Sequence, residues 1–409
     1  MQNIAVIGSG ISGISAAYML SKKHKITIFE SDCRLGGHTN TVKTKEGVMV
    51  DTGFIVFNEL NYPHFCKFID QLGVQSIESD MSFAYYDQSN EYAYSSDFPK
   101  GLFSTTSNVF SPQFYKFIMD IFRFNKLAVK LRSSLSDELT IYEFLIAHRF
   151  NEKFIKEYVL PMGAAIWSTS QNDIQKFPAK LFISFWENHR LLQVLNRPKW
   201  RTLKNGSISY INAVIEQCNL TIKLNHPVTK IERGLDEATI YSNEQKFKFD
   251  QVIIATHADQ ALKMLASPSD NEVRLLGKWM YSKNPTILHS DCSIAPKKRS
   301  AWASWIYARS NDDKMVASYY MNRLQALNSS KDYFVSLNID DGILNDSIDY
   351  QTIYDHPMMT KHSVSTQPHL QDLNGNMNTF FCGSYFGNGF HEDGIASAVK
   401  VAKYFDCEL

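Results

Sequence analysis

The chain has no excess of charge: 42 lysines and arginines stand against 42 aspartates and glutamates across 409 residues. A surface built to neutralise a polyphosphate backbone needs a cationic surplus, so no nucleic-acid partner is expected. Cysteine is sparse. Cys33, Cys66, Cys218, Cys292, Cys382 and Cys407 are scattered, with no Cys-x-x-Cys pair and no spacing suited to zinc. They read as reduced thiols of a cytosolic chain, and no metal site is expected. There is no run of 18 apolar residues, so no membrane-spanning helix is predicted. Internal repeats and low-complexity tracts are absent too. A first strand starting at residue 4 leaves no room for a signal peptide ahead of it. The expected location is the cytoplasm, with contact at the inner face of the membrane limited to its surface. The length exceeds one typical domain and suits two intertwined ones.

What is present starts at once. The apolar run Ile4-Ala5-Val6-Ile7 leads into Gly8-Ser9-Gly10-Ile11-Ser12-Gly13, and a helical pattern follows at Ile14-Ser15-Ala16-Ala17. Gly8 permits a tight turn, Gly10 lets backbone approach a pyrophosphate, and Gly13 lets helix and strand pack closely. The helix start, Ser12 included, offers free N–H groups and a positive dipole end to phosphates. A second strand, Lys25-Ile26-Thr27-Ile28-Phe29, ends at Glu30, 17 residues past Gly13. A carboxylate there can accept from adenosine ribose hydroxyls. Strand, glycine loop, helix and acidic strand end together describe a dinucleotide site.

After Glu30 come Arg34-Leu35-Gly36-Gly37-His38-Thr39 and Val50-Asp51-Thr52-Gly53. Arg34 can pair bidentately with phosphate, and Gly36-Gly37 lets backbone run against a flat, bulky ligand. In this order of elements the chain resembles the flavoproteins with two dinucleotide-binding domains: amine oxidases, protoporphyrinogen oxidase and phytoene desaturases. Near the other end, Phe380-Phe381-Cys382-Gly383 reads as a strand and turn. Ser384 through His391-Glu392-Asp393-Gly394-Ile395 follows as a glycine-rich loop and helix start. The resemblance is closest to a bacterial amine-oxidase-like subgroup and is also carried by Pro161-Met162-Gly163-Ala164-Ala165-Ile166-Trp167-Ser168 and Tyr320-Met321-Asn322-Arg323-Leu324-Gln325. It implies non-covalent FAD contacted by Gly8, Gly10, Ser12, Gly13, Glu30, Arg34, Gly36, Gly37, His38, Thr52, Gly53, Gly383, Asp393, Gly394 and Ile395. Backbone at Val228 would bracket the adenine. A helix dipole aimed at the flavin would favour the charge that reduction adds.

The expected fold is α/β, a Rossmann-like FAD domain of the two-dinucleotide-binding-domain type with a mixed-sheet and helical substrate domain. Segments 1–75, 200–260 and 376–409 would build the FAD domain, and 76–199 with 261–375 the substrate domain. Within the latter, Met81–Tyr86 and Glu91–Tyr94 flank a polar turn and predict a hairpin. Helical patterns run over 112–132, 140–160 and 178–195. Strand-like runs fall at Thr286–His289, Ala301–Ile306, Val316–Tyr320 and Tyr333–Leu337.

A flavin accepts hydride, so the protein must hold a C–H bond near the ring and shield it, without metal or nucleophile. By family position Tyr385, Phe386 and Phe390 would stand nearest the flavin, with Trp167, Trp302 and Trp305 from the cap. His391 and His38, inside the two flavin loops, are the candidates to move a proton, with Tyr385 beside them. Glu392 reads as structural and Asp393 as a ribityl ligand. The leading expectation is an FAD-dependent dehydrogenase or oxidase of an apolar small-molecule or lipid substrate, such as a methylated fatty acyl chain taken to an alkene. One alternative is an amine oxidase releasing imine or aldehyde and peroxide. Lys283 and Lys314 match no lysine motif of amine oxidation, and Tyr385 with Phe386 could wall an aromatic cage. A further alternative is a non-catalytic flavoprotein partner of a lipid-modifying enzyme. Finally, Phe114–Leu131 pairs a broad apolar surface with Lys116, Arg123, Lys126 and Lys130 at helical spacing. Such a helix suits either a membrane interface or a cap buried on one side.

Overall fold

The run Ile4-Ala5-Val6-Ile7 is apolar on both faces because its strand sits in the middle of a parallel sheet. In the computed structural model, which describes residues 1–167, 169–193, 198–309, 315–339 and 342–409, that strand is Asn3–Ile7. It lies third in the order Leu220–Lys223, Lys25–Phe29, Asn3–Ile7, Gln251–Ile254, Thr379–Phe381. All pairings are parallel, with Ile4 opposite Ile26 and Ile7 opposite Ile254. The strands thus come from three distant segments of the chain. The first helix, Ile11–Ser21, is buried from Ile11 to Leu20. Small and apolar residues all round it are required because the last helix, His391–Lys403, and the helix Ile208–Gln217 pack against it as well. A three-stranded antiparallel sheet, Val228–Arg233, Ala238–Ser242 and Gln245–Phe249, accompanies this layer.

The second large sheet has seven strands. Its order is Ile348–Pro357, Tyr281–His289, Phe334–Leu337, Met315–Tyr320, Trp305–Arg309, Phe83–Asp87, Tyr92–Ser95. Every pairing is antiparallel except that of Trp305–Arg309 with Phe83–Asp87, so the sheet is mixed. The helices Pro112–Leu131, Ile141–Ala147 and Ala179–Asn188 pack around an aromatic core in which Phe124 sits edge-on to Phe144, Phe150 and Trp186. The chain is thus α/β, a parallel-sheet layer joined to a mixed sheet with helices.

Several predicted elements are revised. The pattern over 140–160 is not one helix. It breaks after Ala147, where Arg149 takes a φ of +52°, and restarts under an Asn151 cap whose side chain accepts from Lys153 N–H. The expected helix over 178–195 ends at Asn188, and residues 194–197 lie outside the described residues. The strand expected from Ala301 begins only at Trp305, because Arg299–Ala301 form a turn of 3₁₀ helix. The ten-residue strand Ile348–Pro357 was not anticipated.

Candidate active site

The strand Asn3–Ile7 turns at Gly8, whose φ is +93° and where a Cβ would lie 2.9 Å from the Ala255 carbonyl oxygen. At Gly13 a Cβ would lie 1.9 Å from the Gly8 carbonyl oxygen, so only glycine closes this strand–helix turn. Gly10 differs: a Cβ there meets nothing within 4 Å, because it faces a cavity. Gly10 also begins the helix without a capping side chain, which leaves the first N–H groups without an intrahelical partner. The last helix starts at the same place. A Cβ on Gly394 would come within 2.7 Å of Ile11 and 2.9 Å of Ser12 Oγ, so two positive helix ends converge there. Glu30 closes the side of the cradle, its carboxylate accepting from Ser9 N–H and Oγ, Ser31 Oγ and Asp32 N–H.

The cradle opens into one continuous cavity of about 1090 Å³, larger than the ~300–1,000 Å³ usual for small-ligand sites. Gly8, Gly10, Ser12, Glu30, Gly36, Gly37, His38, Thr52, Gly53, Val228 and Gly383 line its glycine-loop side. His38 stacks on Tyr354 at 4.9 Å and stands 5.2 Å from His356 and 6.1 Å from His257. Burial, helped by the His257 imidazole and the Arg34 guanidinium, lowers the His38 pKa to about 3. Burial alone lowers His257 to about 4, and burial with both neighbours takes His356 well below its usual value. All three rings are neutral at pH 7. The buried His38 Nε2 has no hydrogen-bond partner, nor do Tyr385 Oη and Trp167 Nε1. A glycine cradle open to a cavity, a helix N-terminus without a capping side chain and a buried ring nitrogen without a hydrogen-bond partner fit a bound dinucleotide of FAD size. Gly8, Gly10 and the helix ends would hold its pyrophosphate, Glu30 its ribose and Val228 its adenine.

The family description for flavin-containing amine oxidoreductases matches residues 11–285, about two-thirds of the chain. The chain belongs to that family. That family's description is of flavin-containing oxidoreductases. Protoporphyrinogen oxidase 2 of Arabidopsis thaliana is 28% identical over 167 residues, covering 39% of this chain and 31% of its own length, so the chain spans under a third of that relative. Cyclohexylamine oxidase from Brevibacterium oxydans IH-35A superposes with a TM-score of 0.71 at 13% identity, covering 99% of each chain. A CLA-producing fatty acid isomerase from P. acnes superposes with a TM-score of 0.68, also at 13% identity and 99% of each chain. At such identities the superpositions establish the fold alone.

The remaining expected residues divide by position. Trp167, Trp305, Phe390, Tyr385 and His391 line the cavity of this flavoprotein. Trp302 does not. Its indole N–H donates to the Pro296 carbonyl and its ring packs on Tyr320 and Phe334, turning it into a separate core. Phe386 packs against Tyr385 without lining the cavity. Arg34, expected to pair with phosphate, donates to the carbonyls of Gly37 and Thr39, 2.8 and 3.1 Å away, and so braces the glycine loop. Asp393 accepts from Phe390 N–H and caps its own helix, its carboxyl pushed up to about 6 by burial. Gly13, Gly394 and Ile395 serve helix packing, and Ile395 is fully buried. Glu392 accepts from the N–H groups of His64 and Phe65 and so caps the helix Pro63–Gln71.

His391 stacks on Phe54 at 3.6 Å with its Nε2 near Thr39 Oγ1 and Tyr210 Oη, 3.1 and 3.2 Å away. Lys283 is exposed on its strand, outside the cavity lining, and Lys314 and Ser168 lie outside the described residues. Among the cavity residues that the sequence did not single out are His189, His257, Tyr354 and His356. Among the described residues no cluster suits a metal ion, and no helix is long and apolar enough to cross a membrane.

Proposed function

We propose that this flavoprotein oxidises an apolar substrate, a (methylated) fatty acyl chain dehydrogenated to an alkene being the leading case. The wall of the cavity beyond the glycine loops carries this reading. Ile55, Met162, Ile166, Trp167, Phe185 and Phe390 face that space. Three carboxylates lining the cavity already have a cation: Lys199 lies 3.1 Å from Glu78, and Arg323 lies 3.2 Å from Asp80 and 3.1 Å from Asp97, whereas Asp355, also in the lining, has a buried Oδ1 without a hydrogen-bond partner. A substrate ammonium beside Glu78, Asp80 or Asp97 would meet carboxylates that are already neutralised and so offset little of its desolvation. The fold itself does not choose, since both an amine oxidase and a fatty acid isomerase share it.

When bound, non-covalently in this reading, FAD supplies the acceptor for a hydride leaving one substrate carbon. The chain's own part is to hold the substrate, exclude water and take the proton from the neighbouring carbon, so that the C=C bond forms. His189 is our candidate for the proton. Its Nδ1 donates to the Phe185 carbonyl at 3.0 Å, so Nε2 carries the lone pair. Burial lowers its pKa to about 4, which keeps the ring unprotonated at pH 7. Its ring stacks on Phe185 at 3.8 Å and stands 6.3 Å from Phe390, which orients it among the apolar walls. Tyr385, with its unpartnered hydroxyl, and His391, with Nε2 engaged, are assigned to positioning.

The test is an anaerobic single turnover on phospholipid extracts with methyl-branched acyl chains, the products read by mass spectrometry. The reading expects acyl chains short of two hydrogens, and His189→Gln retaining FAD while losing most of that yield. Aldehyde from a panel of amines, with lipid unchanged, would overturn it in favour of amine oxidation. FAD reduced by neither set would favour a non-catalytic partner role.

A further inference from the structure

The helix Pro112–Leu131 is apolar on two sides. Phe114, Phe117, Phe124 and Ala128 form its buried stripe. On the outer side Tyr115, Met119, Phe122 and Val129 recur at helical spacing and are exposed, Met119 by 62% and Phe122 by 57%. The segment before it adds Phe98 at 78% and Phe110 at 86%. Among the described residues Phe98, Phe110 and Phe122 are the exposed phenylalanines, so this surface is a concentration and not the ordinary scatter of apolar residues.

Its charges are of one sign. Lys100, Lys116, Lys126 and Lys130 have no carboxylate partner among the described residues, and the segment's only acid, Asp120, is buried and paired with Arg123 at 2.9 Å. Protein interfaces are depleted in lysine, whereas unpaired lysines set among aromatics match anionic headgroups over hydrocarbon. The surface also adjoins the cavity. Asp97 lines the cavity, and Phe98 is the next residue. Two contacts tie the connecting loop to the helix: Phe103 packs edge-on to Phe114 at 6.0 Å, and Tyr115 Oη donates to the Val109 carbonyl at 2.9 Å.

We propose that segment 98–131 docks on an anionic phospholipid surface, with the cavity mouth at Asp97 opening beside it for a membrane-borne chain. The docking stands on the exposed residues alone, and only the route of entry rests on the acyl-chain reading above. The test is flotation of the FAD-loaded protein with phosphatidylcholine vesicles made with and without phosphatidylglycerol, a readout that needs no turnover.

The expected result is binding to phosphatidylglycerol vesicles, little binding to phosphatidylcholine alone, and release by salt. Lys116→Ala and Lys126→Ala should each weaken partitioning about five-fold. Phe110→Ser with Phe122→Ser should abolish it while FAD content stays unchanged, because both side chains are exposed. Equal flotation on both vesicle types, or flotation that survives the double substitution, would overturn the docking. Self-association lost in the double variant, with no vesicle binding by the parent, would also overturn it by assigning the face to a second copy of the chain. Vesicle binding without any lipid product would leave docking standing and remove only the entry route.

Discussion

Gly10 and Gly13, three residues apart, should fail in opposite ways when substituted. At Gly10 the backbone is extended, with φ −62° and ψ −179°, and a Cβ meets no atom within 4 Å. Valine tolerates that conformation, so Gly10→Val should leave the apoprotein within about 0.5 kcal/mol of the parent. The added methyl groups would instead occupy the space before the first helical N–H groups. Crowding of about 1–3 kcal/mol together with loss of charge-assisted hydrogen bonds worth about 1.5–3 kcal/mol predicts FAD binding weakened roughly a thousand-fold. With FAD at about a hundred times its Kd, the parent gains about 2.7 kcal/mol of stability, which the variant should not show. Gly13→Val should do the reverse. Its Cβ would sit 1.9 Å from the Gly8 carbonyl oxygen, the turn must open, and stability should fall by more than about 3 kcal/mol even without FAD. The assays are calorimetric titration of each apoprotein with FAD and thermal melts with and without it. A Gly10→Val protein that binds FAD like the parent refutes the pyrophosphate cradle, and one that melts early without FAD refutes the open space at Gly10.

Other outcomes follow from the same contacts. His38, His189, His257 and His289 are held by burial near pKa 3, 4, 4 and 4, whereas unfolded histidine titrates near 6.5. The unfolded chain therefore binds more protons below pH 6.5, so stability present above that pH is lost as the pH falls toward 4. Asp51 and Asp393, both pushed up to about 6 by burial, act oppositely: their contribution is greatest below pH 3.8 and is lost as the pH rises through 6. Because lowered imidazoles outnumber raised carboxyls, the urea midpoint of the apoprotein should fall between pH 6.5 and 4, less steeply in His257→Gln; a midpoint that rises would contradict this. Glu392→Ala removes the acceptor for His64 and Phe65 N–H and should cost about 1 kcal/mol in urea unfolding with FAD content unchanged. Trp167→Ala should raise the KM of an apolar substrate about ten-fold, whereas Trp302→Ala should cost about 3–5 kcal/mol of stability with KM unmoved.

The cofactor side of the cavity was legible because backbone geometry imposes it locally. Gly8, Gly10 and Gly13 stand at spacings that a strand–turn–helix approach to phosphate demands, and Gly36-Gly37 packs against Gly10 from the next loop. The substrate side was not, because its residues share no local pattern. His189 ends one helix, His257 follows a parallel strand, and Tyr354 and His356 ride on Ile348–Pro357. That strand is rich in polar residues and only partly buried, since it forms the edge of the seven-stranded sheet, so its alternation is faint. Aromatic identity misled at Trp302, whose orientation is set by one distant carbonyl, that of Pro296. Acidic identity misled at Asp393, which is spent on the helix it opens.

The central claim, oxidation of an apolar substrate by an FAD-loaded cavity, is tested most directly by anaerobic bleaching of the flavin band near 450 nm (about the usual position for oxidised flavin). Membrane lipids with methyl-branched acyl chains and a panel of amines would be offered separately. The account predicts bleaching by the lipids and none by the amines. Bleaching by an amine alone would contradict it.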